Sequence, residues 1–251
     1  MREITGVEAD PMRSLPDALR ALRVSAPRPV LVLVGGASGL DDAVADRLLP
    51  LFRDRLAPLL ARLGAALVDG GTDAGVMALM GRARQDGAAG LTLIGVAARG
   101  TVRLLADDPA DNLTARAALA SGHSHVLLVP GSCWGDEIPW MSALAGLLAG
   151  GQGCATLVAG GGKITERDVQ ASLAAGRPTL LLAGSGGVAD ALAADAARNP
   201  LIRVVPEHGG WQALDTLLAA LLQPRAACSP MRRSAPEPCA GRNDDAIRPP
   251  V

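Results

Sequence analysis

Seven short runs of Val, Leu, Ile and Ala recur along this chain, at 30–34, 65–68, 91–96, 125–129, 155–159, 179–183 and 201–205, with little alternation between apolar and polar residues. A strand with one solvated face has to alternate, so runs of this kind read as strands buried on both faces. Longer amphipathic stretches lie at 40–62, 75–85, 113–120, 137–148, 166–175, 188–197 and 211–222, and these read as helices. A repeated strand-then-helix order implies a parallel sheet covered on both sides. The expected fold is therefore α/β, a Rossmann-like, doubly wound, mainly parallel sheet of about seven strands with helices on both faces.

The 251 residues are long enough to bury a large core. Aromatic residues make up only 2% of the chain, so Ala, Val and Leu must build that core. The same scarcity argues against a base-stacking surface for single-stranded nucleic acid. Acidic and basic residues nearly cancel, for a net charge of -1, which argues against a face for duplex DNA. No nucleic-acid partner is expected. No apolar run is long enough to span a membrane, and the polar N-terminus lacks the apolar core of a signal peptide. The four cysteines show no CxxC spacing, so neither a zinc ribbon nor a disulfide framework is expected, and a reducing cytoplasm is the default location. Residues 1–28 read as a loose N-terminal arm, with one short helix near 16–24. Residues 29–223 read as the ligand-binding domain. The Pro- and Arg-rich tail 224–251 holds too few large apolar residues to offset its ordering entropy and is expected to be disordered.

In such a sheet, ligands bind beyond the carboxyl ends of the strands. Five of the seven strand ends open into glycine-rich turns there. They contain Gly35, Gly36, Ser38 and Gly39; Gly70, Gly71, Thr72 and Gly75; Gly131, Trp134, Gly135, Asp136 and Glu137; Gly160, Gly161 and Gly162; and Gly184, Ser185, Gly186 and Gly187. Glycine lets the backbone approach a ligand closely, and a helix that starts at such a turn aims its N–H groups and positive dipole end at an anion. Phosphates would fit. Ser38, Thr72 and Ser185 add hydroxyls that could equally serve as helix caps. No Walker A loop is present, since Lys163 is followed by Ile164.

The run from Asp69 through Gly70, Gly71 and Gly75 to Val76 and Met77, followed by Ile94, Gly95 and Val96, resembles the GG-x-x-x-G-[LV]-M … IGV signature of the SLOG superfamily. That superfamily includes the lonely-guy phosphoribohydrolases and the N-terminal region of melastatin-type TRP channels. Pro130, Gly131, Trp134, Gly135, Glu137 and Trp140 follow the PG-x-x-WG-x-E-x-x-W pattern of its prokaryotic TRPM-like branch, the LSDAT group. Gly184, Ser185, Gly186, Ala189 and Asp190 follow its GSGR-x-AD pattern, with Gly187 where that pattern has arginine. The resemblance covers about 29–222. It implies binding of a nucleotide or NAD-derived ligand such as ADP-ribose, with no cofactor required, and signalling to an effector protein or through a homo-oligomer. The ligand-binding residues it points to are Gly35, Gly36, Ser38, Gly39, Gly70, Gly71, Thr72, Gly75, Met77, Gly131, Trp134, Gly135, Glu137, Gly184, Ser185 and Gly186. The glycine at 187 removes a guanidinium that could hold a phosphate, for which Arg99 or Arg177 could substitute, and it also permits a scaffold that has lost its ligand.

The alternative is an N-glycosidic bond hydrolase of the phosphoribohydrolase type. That chemistry needs a carboxylate near an oxocarbenium-like centre and a cation for phosphate. Glu137 is the first catalytic candidate and Asp136 the second, with Arg82 and Arg84 as cations. Glu137 could equally be a first-turn acid that complements a helix dipole. Trp134 is expected to face the ligand and Trp140 to pack in the core. His123 and His125, at i and i+2, share one face of a strand but lack a third metal ligand, so packed or surface histidines are expected. Cys133 has no histidine placed to activate it, and Asp107, Asp108 and Asp111 read as a solvated acidic loop.

Overall fold

The second strand shows why the sheet is covered twice. In β2 (Val30–Gly35), Leu31 and Leu33 point into one apolar layer while Val30, Val32 and Val34 point into the other, and all five are buried. The computed structural model describes residues 4–37, 40–103, 116–207 and 211–223. Its strands are β1 (Thr5–Glu8), β2, β3 (Ala66–Asp69), β4 (Thr92–Ala98), β5 (Val102–Arg103), β6 (Ala117–Ala118), β7 (His125–Val129), β8 (Cys154–Ala159), β9 (Thr179–Leu182) and β10 (Ile202–Val205). Eight of them form one parallel sheet in the order β1-β7-β4-β3-β2-β8-β9-β10. β5 and β6 pair separately.

From β2 the chain builds outward through β3, β4 and β7, then crosses over to β8 on the other side of β2. The strand order therefore reverses between β2 and β8, the point at which doubly wound sheets bind ligands. Helices α2 (Asp42–Leu51), α3 (Ala57–Arg62), α4 (Gly75–Gly87) and α8 (Trp211–Leu222) contribute to one apolar layer. Helices α1 (Leu15–Ala21), α5 (Ile138–Ala149), α6 (Lys163–Ala174) and α7 (Gly187–Ala193) contribute to the other. The expected helix over 40–62 is observed from 42, with a wide π turn at Phe52–Leu56 where the Ala57 N–H donates to the Phe52 carbonyl. Pro50 and Pro58, which have no N–H to donate, bracket that turn. Phe52, the chain's one phenylalanine, is fully buried there. No helix among the described residues is long and apolar enough to cross a membrane.

Two expectations are corrected. The segment 1–28 is not loose over residues 5–22. β1 adds an eighth strand beside β7, with Thr5 opposite His125 and Glu8 opposite Leu128. Leu15, Leu19 and Leu22 form a helical stripe buried in the same layer as α5, and that apolar stripe is enough to dock a short helix. The expected helix at 113–120 is replaced, at its described end, by strand β6. Asp73 N donates to Ala118 O at 2.8 Å and Ala120 N to Gly71 O at 3.0 Å. Pairing with the β3 turn overrides the helix propensity of the alanines. The tail 224–251 and the acidic cluster Asp107, Asp108 and Asp111 lie outside the described residues.

Candidate functional site

The glycine-rich turns do meet at the carboxyl edge of the sheet, but several are spent on one another. Gly35 ends β2, and a side chain there would put Cβ 2.1 Å from the Ala159 carbonyl. Gly36 N donates to Ala159 O at 3.0 Å, and Gly36 O accepts Val76 N at 3.0 Å. The start of α4 is thus tied to the β2 turn. Gly75, at φ +48°, lies so close to Gly36 that a Cβ would fall 1.8 Å from its carbonyl. Met77 is buried in the core at 7% exposure. Gly71 N donates to Asp69 Oδ1 at 2.8 Å, while the strap 117–120 covers Gly71 and the buried Thr72. Ser38 and Gly39 lie outside the described residues.

The β9 turn is similarly occupied. Gly184 N and Gly186 N both donate to the Asp190 carboxylate, at 2.7 and 3.1 Å. Ser185 is buried, accepting from Gly160 N at 2.8 Å and donating to the Leu182 carbonyl. Val188 N and Ala189 N donate to Gly161 O and Gly160 O. Gly187 stands at φ +55°, and a Cβ on it would lie 2.2 Å from the Gly161 carbonyl. An arginine at 187 is therefore incompatible with this backbone. Neither expected substitute reaches the turn. Arg99 pairs with Glu8, and Arg177 is buried against Ser142 and Ser172. The guanidinium beside this turn belongs to Arg47 of α2, which donates to Gly184 O at 3.1 Å and pairs with Glu207 at 3.0 Å.

The β7 turn is different, because it brings unlike groups together (Gly131, Trp134, Gly135, Asp136 and Glu137). Gly131, at φ +147°, packs against the Asp136 side chain. The Asp136 carboxylate accepts Ser132 N at 2.9 Å and Cys133 N at 3.0 Å, bonds that hold it below the usual carboxylate range. Gly135 N donates to both oxygens of Glu137, at 3.1 and 3.0 Å. Glu137 is only 8% exposed, and burial pushes its pKa up against that hydrogen bond. Trp134 is 42% exposed at the tip of the turn, while Trp140 is buried, as expected.

Two residues of α6 complete this cluster. A Cβ on Gly135 would lie 2.5 Å from Arg167 Nη1, so the guanidinium rests on the turn. Arg167 is exposed, and among the described residues no hydrogen bond or ion pair holds it. Its charge acts on Asp136, Glu137 and Asp168. Asp168 is 9% exposed, and its Oδ1 has no partner among the described residues. Burial, reinforced by the charge on Glu137, pushes its pKa up to about 8. Sequence reasoning missed both residues because α6 carries no motif. The signal was present in periodicity: Thr165, Asp168, Val169 and Ser172 make the buried stripe of α6, and a carboxylate on such a stripe is unusual.

Arg84, His123 and His125 have structural duties. Arg84 is buried and donates to Leu91 O at 2.8 Å and Gly122 O at 3.1 Å, so it braces the α4–β4 connection; Arg82 is exposed on α4. His123 is fully buried and pairs with Asp69 at 2.7 Å, whereas His125 meets Ser124 Oγ at 2.8 Å. Burial, followed by the charges of Arg84 and Arg28, lowers the pKa of His125. No group of three potential metal ligands occurs among the described residues. Cys133 is exposed and Cys154 half-buried, both as free thiols.

Two solved structures share this architecture. The crystal structure of TM1055, a structural-genomics target, superposes with a TM-score of 0.52 at 20% identity, covering 75% of this chain and 98% of that one. The molybdenum cofactor carrier protein MCP from Chlamydomonas reinhardtii superposes with a TM-score of 0.51 at 20% identity, covering 77% of this chain and 99% of that one. At this identity the likeness is one of fold. Residues 28–221 match the family described as "SLOG in TRPM, prokaryote", and the chain belongs to that family.

Proposed function

We propose that this protein binds a phosphorylated, nucleotide-like small molecule at the carboxyl edge of the sheet, with the Trp134–Glu137 turn and Arg167 as the contact point. One observation carries the reading: a guanidinium with no hydrogen bond or ion pair among the described residues rests on Gly135, in the turn that also carries the exposed Trp134 and the buried Glu137. Arginine suits a phosphate through bidentate hydrogen bonds. The indole offers a face for a base, and Glu137 can accept hydrogen bonds from ribose hydroxyls. Family membership supports the nucleotide class, with ADP-ribose and other NAD-derived molecules first among the ligands to try. A shape change at this turn would be passed to an effector protein or a second copy of the chain. MCP, by its name a carrier of the molybdenum cofactor, is a case of a similar architecture that serves a small molecule.

One observation favours hydrolysis as the second reading. Glu137 is buried and its pKa is raised, as suits a carboxyl that exchanges protons at a glycosidic bond. A thermal-shift screen with ADP-ribose, cyclic ADP-ribose, NAD and AMP tests binding, and Arg167→Ala is expected to abolish any shift. Chromatography of the incubated nucleotides tests hydrolysis. Release of free base that Glu137→Gln stops would establish it.

A further inference from the structure

Asp168 faces a small cavity between α5 and α6, over β2, whose walls include Val32, Val34, Ile138 and Met141. An ionised carboxylate with no partner for Oδ1 in such a place costs more than a protonated one. The charge of Glu137, at the head of the neighbouring helix, acts on Asp168. The charged groups packed around the pair are few. Asp136 and Glu137 come from the turn before α5, and Arg167 from α6 itself. Arg177, across the cavity, is held by Ser142 and Ser172. From β2 the cavity receives only valines.

We propose that Glu137 and Asp168 form an acid pair that keeps one proton at neutral pH, with the proton on Asp168 and the negative charge on Glu137, leaving Arg167 available to a ligand anion. The assignment follows from hydrogen bonding: both Glu137 oxygens receive the Gly135 N–H, while Asp168 Oδ1 receives nothing among the described residues. Asp168 is therefore a positioning residue that acts through the charge of Glu137 and Arg167. Its burial places its own ionisation at about pH 8. Above that pH a second negative charge competes for Arg167 and repels an incoming anion. This pH-dependent affinity rests on the binding reading above, whereas the proton pair itself can be read in the ligand-free protein.

Carboxyl-carbon NMR titration of the ligand-free chain is the test. The wild type is expected to show one carboxyl titrating far above the ordinary range, and Asp168→Asn to lose it. In Glu137→Gln that midpoint moves down by about one pH unit or more, because the like charge is gone. An isolated buried acid would keep its midpoint in Glu137→Gln. That result, or the absence of any carboxyl titrating above about pH 6.5 in the wild type, overturns the pair. Calorimetry with AMP and ADP-ribose tests the link to the ligand. Wild-type affinity is expected to fall severalfold between pH 7 and 9, and that of Asp168→Asn to stay level. Identical pH profiles for the two proteins overturn the link. If neither probe binds at any pH, the binding reading fails for both of these ligands, while the acid pair still stands or falls by the titration.

Discussion

Asp168 is the residue at which burial and charge disagree most sharply, and that disagreement has a measurable sign. An aspartate in the unfolded chain titrates near pH 4, whereas folded Asp168 titrates at about 8. Between these values the folded chain holds a proton that the unfolded chain releases, so stability decreases as pH rises through the window. Asp168→Asn removes this slope. Compared with the wild type, the variant gains on the order of a few kcal/mol between pH 5 and pH 9. Urea melts at the two pH values measure this, and equal pH dependence in both proteins would show that Asp168 ionises freely in the fold. Arg167 makes the contrasting case. It is exposed and hydrogen-bonded to no described residue, so Arg167→Ala is expected to change stability by less than about 0.5 kcal/mol. A loss of nucleotide-induced stabilisation in that variant is then a loss of binding.

Among the elements, the glycine turns are joints as well as potential cradles. Val76 N on Gly36 O, and Val188 N and Ala189 N on Gly161 O and Gly160 O, link the starts of α4 and α7 to the turns of neighbouring strands. Gly75 sits at such a joint with a positive φ, so Gly75→Ala is expected to cost more than about 1 kcal/mol in a denaturant melt. The glycine pattern was legible in the sequence as a row of turns at one sheet edge. Which backbone amides would be consumed by which carbonyls was not, since that depends on how neighbouring strands abut. Strands such as β2 were legible because runs like 30–34 bury both faces. β1 was not, because its four residues, Thr-Gly-Val-Glu, carry neither alternation nor an apolar run, and pairing with β7 defines them. The α1 stripe gives a direct check that the N-terminus belongs to the fold. Leu22 is fully buried, so Leu22→Ala is expected to destabilise the protein by about 2–5 kcal/mol. A loss below about 0.5 kcal/mol would contradict the docking of this segment.

At the scale of the whole molecule, the sheet order brings the β7 turn and the start of α6 to the same edge, although Arg167 lies 30 positions beyond Glu137 in the chain. The turn's own motif made Trp134 and Glu137 visible in the sequence. Arg167 and Asp168 became visible only when α5 and α6 were placed side by side. Together they put an arginine, an exposed indole and two buried acids at a glycine turn, and the proposal of a nucleotide-like ligand rests on that grouping. The most direct measurement is the melting temperature of the full chain with and without ADP-ribose, cyclic ADP-ribose, NAD and AMP, beside Arg167→Ala. A ligand at about 100 times its dissociation constant adds about 2.7 kcal/mol to the folded state. For a chain of this size that raises the melting temperature by about 5–10 °C. A rise of that order with at least one of these compounds, lost in Arg167→Ala, is the expected result. No rise with any of them, or a rise that Arg167→Ala leaves intact, would contradict the site.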